Sequence, residues 1–371
     1  MIPVNEPALG ERELELVADC VRTGWVSSAG HYLDEFERRW AEYCGMKHGV
    51  AVSSGTAALD VAVSCLRLQP GDEVILPSFT IISCAQAITK HGGRPVLVDC
   101  DPETWCLDVD QVAARITPRT RAVMAVHMYG HPADMDPLRG LADRHGLVLI
   151  EDAAQAHGAE YKGRRCGGLG DISCFSFYAN KIITTGEGGM VLTDRDDWAA
   201  HARAYRNLCF RSDRRFYHEE LGENYRMTNL QAALGVAQLD RVEEILAHKR
   251  AMAAAYTERL RSCEALQLPM EREWARSTFW MYGVVLKDGG RNAAGLAVDL
   301  AQRLQERGVQ TRPFFLGMHE QPAFLRMGLF QGEEYPVTEM LARQGLYLPS
   351  GTALQLSQVD EVAGAVKEVM R

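Results

Sequence analysis

Short, almost wholly apolar runs alternate with amphipathic stretches through the first 150 residues of the chain. EVIL (73–76), RPVLVD (94–99), RAVMAVHM (121–128) and GLVLIED (146–152) read as buried strands. Helical spacing falls around and between them, at about 57–68, 80–91, 108–116 and 134–145. Nearly continuous apolar strands separated by helices specify an α/β fold built on a mostly parallel sheet covered on both faces. Such sheets take ligands at the carboxyl ends of their strands, so the chemistry is expected along that edge.

The pattern changes after about residue 228. MTNLQAALGVAQLDRVEEILAHKRAMAAAYTERLRSC reads as one long helix leading into a second unit. That unit holds the strand-like run FWMYGVVL (279–286), a helix near 295–307, the segment TRPFFLGMH (311–319) and a last helix near 357–370. With 371 residues, two domains are expected: a large one over 1–240 and a smaller α+β one over 241–371. The Pro-, Gly- and Ser-bearing first 30 residues are expected to lie across both.

A formal charge of −9 offers no basic excess for a phosphate backbone, which argues against a nucleic-acid partner. The ten cysteines form no C-x-x-C pair and no zinc-like spacing, and Cys174 sits in the apolar ISCFSF. Reduced thiols in a cytoplasm are the expectation. The start of the chain has no signal-peptide pattern, and no run approaches 18 apolar residues, so neither export nor a membrane span is expected.

Three segments carry chemistry. In VSSGTAAL (52–59), Ser, Gly and Thr precede a helix; they can cap it, or hold an anion at its positive end. In LVLIEDAAQAHGA (147–159), Glu151 and Asp152 close an apolar strand; each either caps the next helix or needs a positive partner. In GDISCFSFYANKIITTGEGGMV (170–191), Lys181 follows Ser176 by five residues; it is either solvated or a lysine of depressed pKa that condenses with an aldehyde. Each has an ordinary reading alone. Together they supply what a pyridoxal phosphate site needs, namely an anion cradle, a carboxylate for the ring nitrogen and a lysine for the aldehyde. His127, His157 and His319 show no metal-ligand spacing, and no metal is expected.

GTAAL, EDAAQAHGA, FSFYANK, TGEGGMV and ENYRMTNLQAALG resemble the DegT/DnrJ/EryC1/StrS family of sugar aminotransferases, over about residues 2–371. The resemblance implies an aspartate-aminotransferase-like, fold type I α/β architecture, with pyridoxal 5'-phosphate as cofactor and pyridoxamine phosphate as its amino form. It implies Lys181 as the lysine joined to the cofactor and Asp152 as the partner of the ring nitrogen. It places Gln155 near the ring or its 3-oxygen, and Gly55, Thr56 and Ser176 on the phosphate. Asn224 would reach the phosphate of a neighbouring subunit, which makes the expected unit a homodimer with shared sites. Ile81 stands where relatives often carry an aromatic residue.

By the same resemblance, ENYRMTNLQAALG with NKIITTGEGGM looks more like enzymes that aminate C4 of a nucleotide-linked 4-keto-6-deoxysugar, with L-glutamate as donor. A 3-keto sugar or cyclitol aminotransferase is the alternative, and a non-catalytic pyridoxal phosphate-binding regulator is one from another class. Intact Lys181 and Asp152 argue against the regulator. For the substrate, Arg226, Arg312 and the FRSDRR cluster (210–215) offer cations for a pyrophosphate, although Arg226 equally suits a structural salt bridge and FRSDRR a solvated loop. Trp25, Ser27, Ser28, Phe79, Phe314 and His319 offer a partly apolar wall, or packing at the domain seam.

Overall fold

A computed structural model describes residues 1–211, 213–214, 216–287 and 296–370. Seven strands form the main sheet: β1 (His48–Val52), β2 (Glu73–Pro77), β3 (Arg94–Val98), β4 (Thr120–Val126), β5 (Val148–Asp152), β8 (Ile172–Ser176) and β9 (Gly189–Thr193). Their order is β1-β9-β8-β5-β4-β2-β3. The run β8-β5-β4-β2-β3 is parallel throughout, and only β9 runs against its neighbours. The sheet is the mixed, mostly parallel one that the apolar runs predict, and every residue of β2 and β8 is buried. A three-stranded ribbon, β6 (Glu160–Tyr161), β7 (Arg164–Arg165) and β11 (Ala275–Arg276), lies apart from it.

The helices are α1 (Glu11–Thr23), α2 (His31–Cys44), α3 (Gly55–Ser64), α4 (Ser83–Lys90), α5 (Val109–Arg115), α6 (Met135–His145), α7 (Asp196–Tyr205), α8 (Asn229–Asp240), α9 (Val242–Leu260), α10 (Leu296–Gln305), α11 (Pro322–Arg326), α12 (Pro336–Gln344) and α13 (Leu356–Val369). Residue 295, where the expected helix begins, lies outside the described residues. Helix α3 is the most enclosed of those at the site. Ala57 to Ser64 are all buried, and the helix packs on β8 and β9.

A second, antiparallel sheet joins β10 (Leu266–Gln267), β12 (Tyr282–Leu286), β14 (Gly345–Leu348) and β13 (Arg312–Pro313). Helices α9, α10 and α13 cover it through Tyr256, Leu300, Leu304, Val362 and Val366. Lys249 of α9 is wholly buried, and its ammonium donates to the carbonyls of Trp280 (3.0 Å) and Ser350. It pins α9 to the two segments that enter and leave this sheet.

One expectation is corrected. The single helix expected from residue 227 is two helices, because Arg241 leaves helical geometry (φ −113°, ψ 8°). The break frees α8 to pack on α1 and α2 while α9 packs on α13. With no Gly or Pro at the break, the apolar period gives no sign of it. The N-terminal segment also contains a helix, α1, whose first turn is tied by Glu13 accepting the Gly10 amide (2.9 Å) and which ends at Gly24 in the left-handed region (φ 79°). Ahead of α1, Ile2 bridges Val309 and the Val4 carbonyl accepts the Ser350 amide, while α1 itself lies on α8.

Candidate active site

The carboxyl ends of β1, β2, β5 and β8 share one edge, and a cleft of about 380 Å³ opens there. At the end of β1, the Ser54 side chain caps α3 by accepting the Ala57 amide (3.1 Å), a bond worth about 1 kcal/mol. The amides of Gly55 and Thr56, ahead of it, have no hydrogen-bond partner among the described residues. Gly55 permits a close approach: a Cβ there would fall 2.6 Å from Cβ of Ser176, at the end of β8. Two free amides, a helix N-terminus and the Ser176 hydroxyl therefore meet in one place, which is the composition of an oxyanion cradle. The Thr56 hydroxyl also pairs with that of Ser83 (2.9 Å), the first residue of α4.

Asp152 ends β5 and is wholly buried. Its Oδ1 accepts the Ala154 amide (3.0 Å) and its Oδ2 the Cys84 thiol (3.1 Å). No cation lies within hydrogen-bond distance of it among the described residues. Gln155 turns its Oε1 to the Tyr129 amide (2.9 Å), which leaves its NH2 group to the cleft. Glu151, one residue before Asp152, points to the opposite side. There it accepts from His127 Nε2 (2.9 Å) and from the amides of Gly167, Leu169 and Gly170.

Lys181 lines the same cleft. Burial pushes its amine down to about 7, against a smaller upward pull from the Asp152 charge. Its Nζ stands 3.7 Å from the ring centre of Trp280, a cation–π contact for the protonated form. Trp280 is held twice. Its indole N–H donates to the Asn180 carbonyl (2.7 Å), the residue before the lysine, and its own carbonyl accepts from Lys249. His157 is buried among Trp40, Phe175 and Phe177, and burial together with the Lys181 charge pushes it down to about 3, so it is neutral.

The cleft thus brings together Gly55, Thr56, Asp152, Gln155, Ser176 and Lys181, with Ile81 and Arg312 on its wall. The other expected residues stand elsewhere in this chain. Phe79 and Phe314 are buried and pack on one another (5.8 Å) behind the wall. His319 is buried between Ser78 (2.8 Å) and Glu339 (3.3 Å). Trp25 is exposed, and its carbonyl and that of Ser27 accept from Asn229. Ser28 and Arg226 line a separate recess with Arg203 and Arg206, where Arg226 donates to Asn207 (2.8 Å). Asn224 is exposed and bridges to Asn207. In the FRSDRR run, Arg211 pairs with Asp213 and Glu219; Ser212 and Arg215 lie outside the described residues.

Sequence reasoning missed Trp280, Phe315, Tyr347, Glu187 and Ser83, all of which line the cleft. Glu187 sat inside the quoted TGEGG, Trp280 inside FWMYGVVL and Phe315 inside TRPFFLGMH, without being singled out there. Every cysteine but Cys263 is buried, and all ten are free. Among the described residues, one group has ligand atoms close enough to share a metal: His127, Glu151 and Cys166. Its histidine and glutamate are already engaged, with each other and with backbone amides.

The GDP-perosamine synthase of Caulobacter vibrioides is 42% identical over 370 residues, covering 100% of this chain and 98% of that protein. The GDP-perosamine synthase of Vibrio cholerae is 38% identical, covering 99% and 98%. The solved structure of a putative sugar aminotransferase, Spr1654 of Streptococcus pneumoniae, in its PLP-form, superposes with a TM-score of 0.93 at 26% identity, covering 100% and 98%. A family profile matches residues 7–367, and the chain belongs to the DegT/DnrJ/EryC1/StrS aminotransferase family.

Proposed function

We propose that this sugar aminotransferase uses pyridoxal 5'-phosphate to move an amino group from L-glutamate to C4 of a nucleotide-linked 4-keto-6-deoxysugar. The sugar is GDP-4-keto-6-deoxymannose, and the product GDP-perosamine. One observation carries the amine transfer: a single cleft holds a free-amide anion cradle, a buried carboxylate without a cation, and a lysine of depressed pKa. The sugar and nucleotide rest on the likeness to GDP-perosamine synthases at 36–42% identity.

The residues fit the cofactor. The amides of Gly55 and Thr56 and the Ser176 hydroxyl would hold its phosphate. Asp152 would face its positive ring nitrogen, and the free NH2 of Gln155 would donate to its ring oxygen. When bound, pyridoxal phosphate supplies an aldehyde that carries the amino group and a ring that accepts an electron pair. The chain supplies the proton traffic. With a pKa of about 7, Lys181 Nζ exists in both forms near neutrality, so it can take a proton from the donor's Cα in one half of the transfer and return one in the other. Trp280 keeps water from one side of that amine. Arg312 at the cleft wall offers a cation to an anionic substrate group.

The working unit is a homodimer in which Asn224 serves the partner's site. Mixing inactive Lys181→Ala and Asn224→Ala subunits then restores activity; no recovery after verified exchange would place Asn224 in its own subunit's site. The substrate is tested by giving the pyridoxamine-phosphate-loaded protein GDP-, dTDP- and UDP-linked 4-keto-6-deoxysugars and identifying products by mass and NMR. A 4-amino-4,6-dideoxyhexose on GDP is expected. Amination only at C3, or only of a free cyclitol, would overturn the substrate and leave the amine transfer standing.

A further inference from the structure

Helix α4 touches both poles of the cleft with consecutive residues. Ser83 pairs with Thr56 at the anion cradle, and Cys84 reaches Asp152 Oδ2 at 3.1 Å. Nothing in the sequence marked either residue. Cys84 and Asp152 are both entirely shielded from solvent. A carboxylate so placed tends to take up a proton unless donors stabilise its charge. Among the described residues Asp152 has two donors, the Ala154 amide on Oδ1 and the Cys84 thiol on Oδ2.

The other titratable groups around Asp152 do not replace that thiol. Lys181, on the same cleft, is only partly charged near neutrality and makes no hydrogen bond to it. Cys174, on the neighbouring strand β8, gives its thiol to the Ala58 carbonyl (3.4 Å). Glu151 is turned away and fully occupied. Thr80, one turn before Cys84, approaches its sulfur at 3.7 Å and holds the side chain in place.

We propose that Cys84 is a positioning residue for Asp152: its S–H bond to Oδ2 keeps the buried carboxylate ionised and aimed at a positively charged ring nitrogen. The last part rests on the aminotransferase reading; the hold on Asp152 does not. Burial and the Asp152 charge push the Cys84 thiol well up, so it remains a protonated donor throughout the working range. A thiol is a weak donor with room to spare at the acceptor. It stabilises the charge while leaving Oδ2 a second lone pair for the ligand. The N–H⁺···⁻O pair between ring and carboxylate is favoured over its neutral form only while the carboxylate stays the weaker base. Removing the donor therefore moves the shared proton toward oxygen, and a stronger donor moves it toward nitrogen.

The test compares Cys84→Ala and Cys84→Ser with wild type, and with Cys65→Ala as a buried-thiol control whose sulfur hydrogen-bonds to the Val61 and Trp198 carbonyls. In the cofactor-free full chain, the ionisation of Asp152 is followed by isotope-edited infrared spectroscopy against pH. Cys84→Ala should raise its proton affinity about tenfold, Cys84→Ser should leave it equal or lower, and Cys65→Ala should not move it. In protein loaded with ¹⁵N-labelled pyridoxal 5'-phosphate, the ring-nitrogen resonance should move toward the neutral form in Cys84→Ala and not in Cys84→Ser. Equal shifts in the alanine and serine variants, or none in either, would overturn the proposal. Failure to bind the cofactor would instead strike the aminotransferase reading and leave the infrared result to decide the role of Cys84.

Discussion

Glu151 and Asp152 are adjacent, both wholly buried and both at the end of β5, yet the two sides of the sheet treat them in opposite ways. On the Glu151 side the carboxylate is saturated. Three backbone amides and His127 donate to it, and His127 Nδ1 accepts the Ala133 amide. These bonds hold the Glu151 acid below its usual range against the upward push of burial. On the Asp152 side the carboxylate has one amide and one thiol and opens on a cleft. Charge that is fully satisfied within the chain builds structure, whereas charge left partly unsatisfied at a cleft is available to a ligand.

The comparison predicts a hierarchy of effects. Lys181→Ala should lower amine transfer on the order of 10⁴-fold while the protein folds, and pyridoxal phosphate should bind without the absorbance of its lysine-linked form. Asp152→Asn should slow single-turnover transfer by about 10²- to 10³-fold and shift Tm by no more than about 3 °C. Glu151→Gln should do the reverse. Its amide NH2 would face donors, so unfolding in urea should show a loss of about 3–5 kcal/mol, while the folded fraction transfers within about threefold of wild type.

The lysine sharpens the picture through pH. Below its pKa of about 7 the amine is protonated and cannot attack an aldehyde; above it, the free base can. Stopped-flow joining of pyridoxal phosphate to cofactor-free protein should therefore accelerate between about pH 6 and 8 and then level off, with no further rise toward the ordinary lysine value near 10.4. Trp280→Phe is the mildest change. It keeps a ring over Nζ and loses the indole bond to Asn180, so cofactor affinity should fall only about three- to tenfold in an equilibrium titration.

The Asp152 side was legible because each part is local. Each segment follows the end of a strand, and its residues are close in sequence: Ser54 to Thr56, Asp152 to Gln155, Ser176 to Lys181. The opposite wall was not. Trp280, Phe315 and Tyr347 arrive from strands and loops of the second sheet and reach the cleft through packing between distant segments, with Lys249 as a hidden pin. For the same reason Phe79, Phe314 and His319 read as wall residues but stand one layer behind it. Trp280 sits in a run that already reads as a strand, and Lys249 in one that reads as part of a long helix. Neither pattern distinguishes a core residue from a site residue.

The most direct measurement is one turnover with L-glutamate in protein loaded with pyridoxal 5'-phosphate, scored as 2-oxoglutarate formed per folded site. Wild type, Asp152→Asn and Glu151→Gln are compared side by side. The account predicts one equivalent from wild type, formation at least about 100-fold slower in Asp152→Asn, and a rate within about threefold of wild type in Glu151→Gln. No 2-oxoglutarate from wild type, or equal rates in Asp152→Asn and wild type, would contradict it.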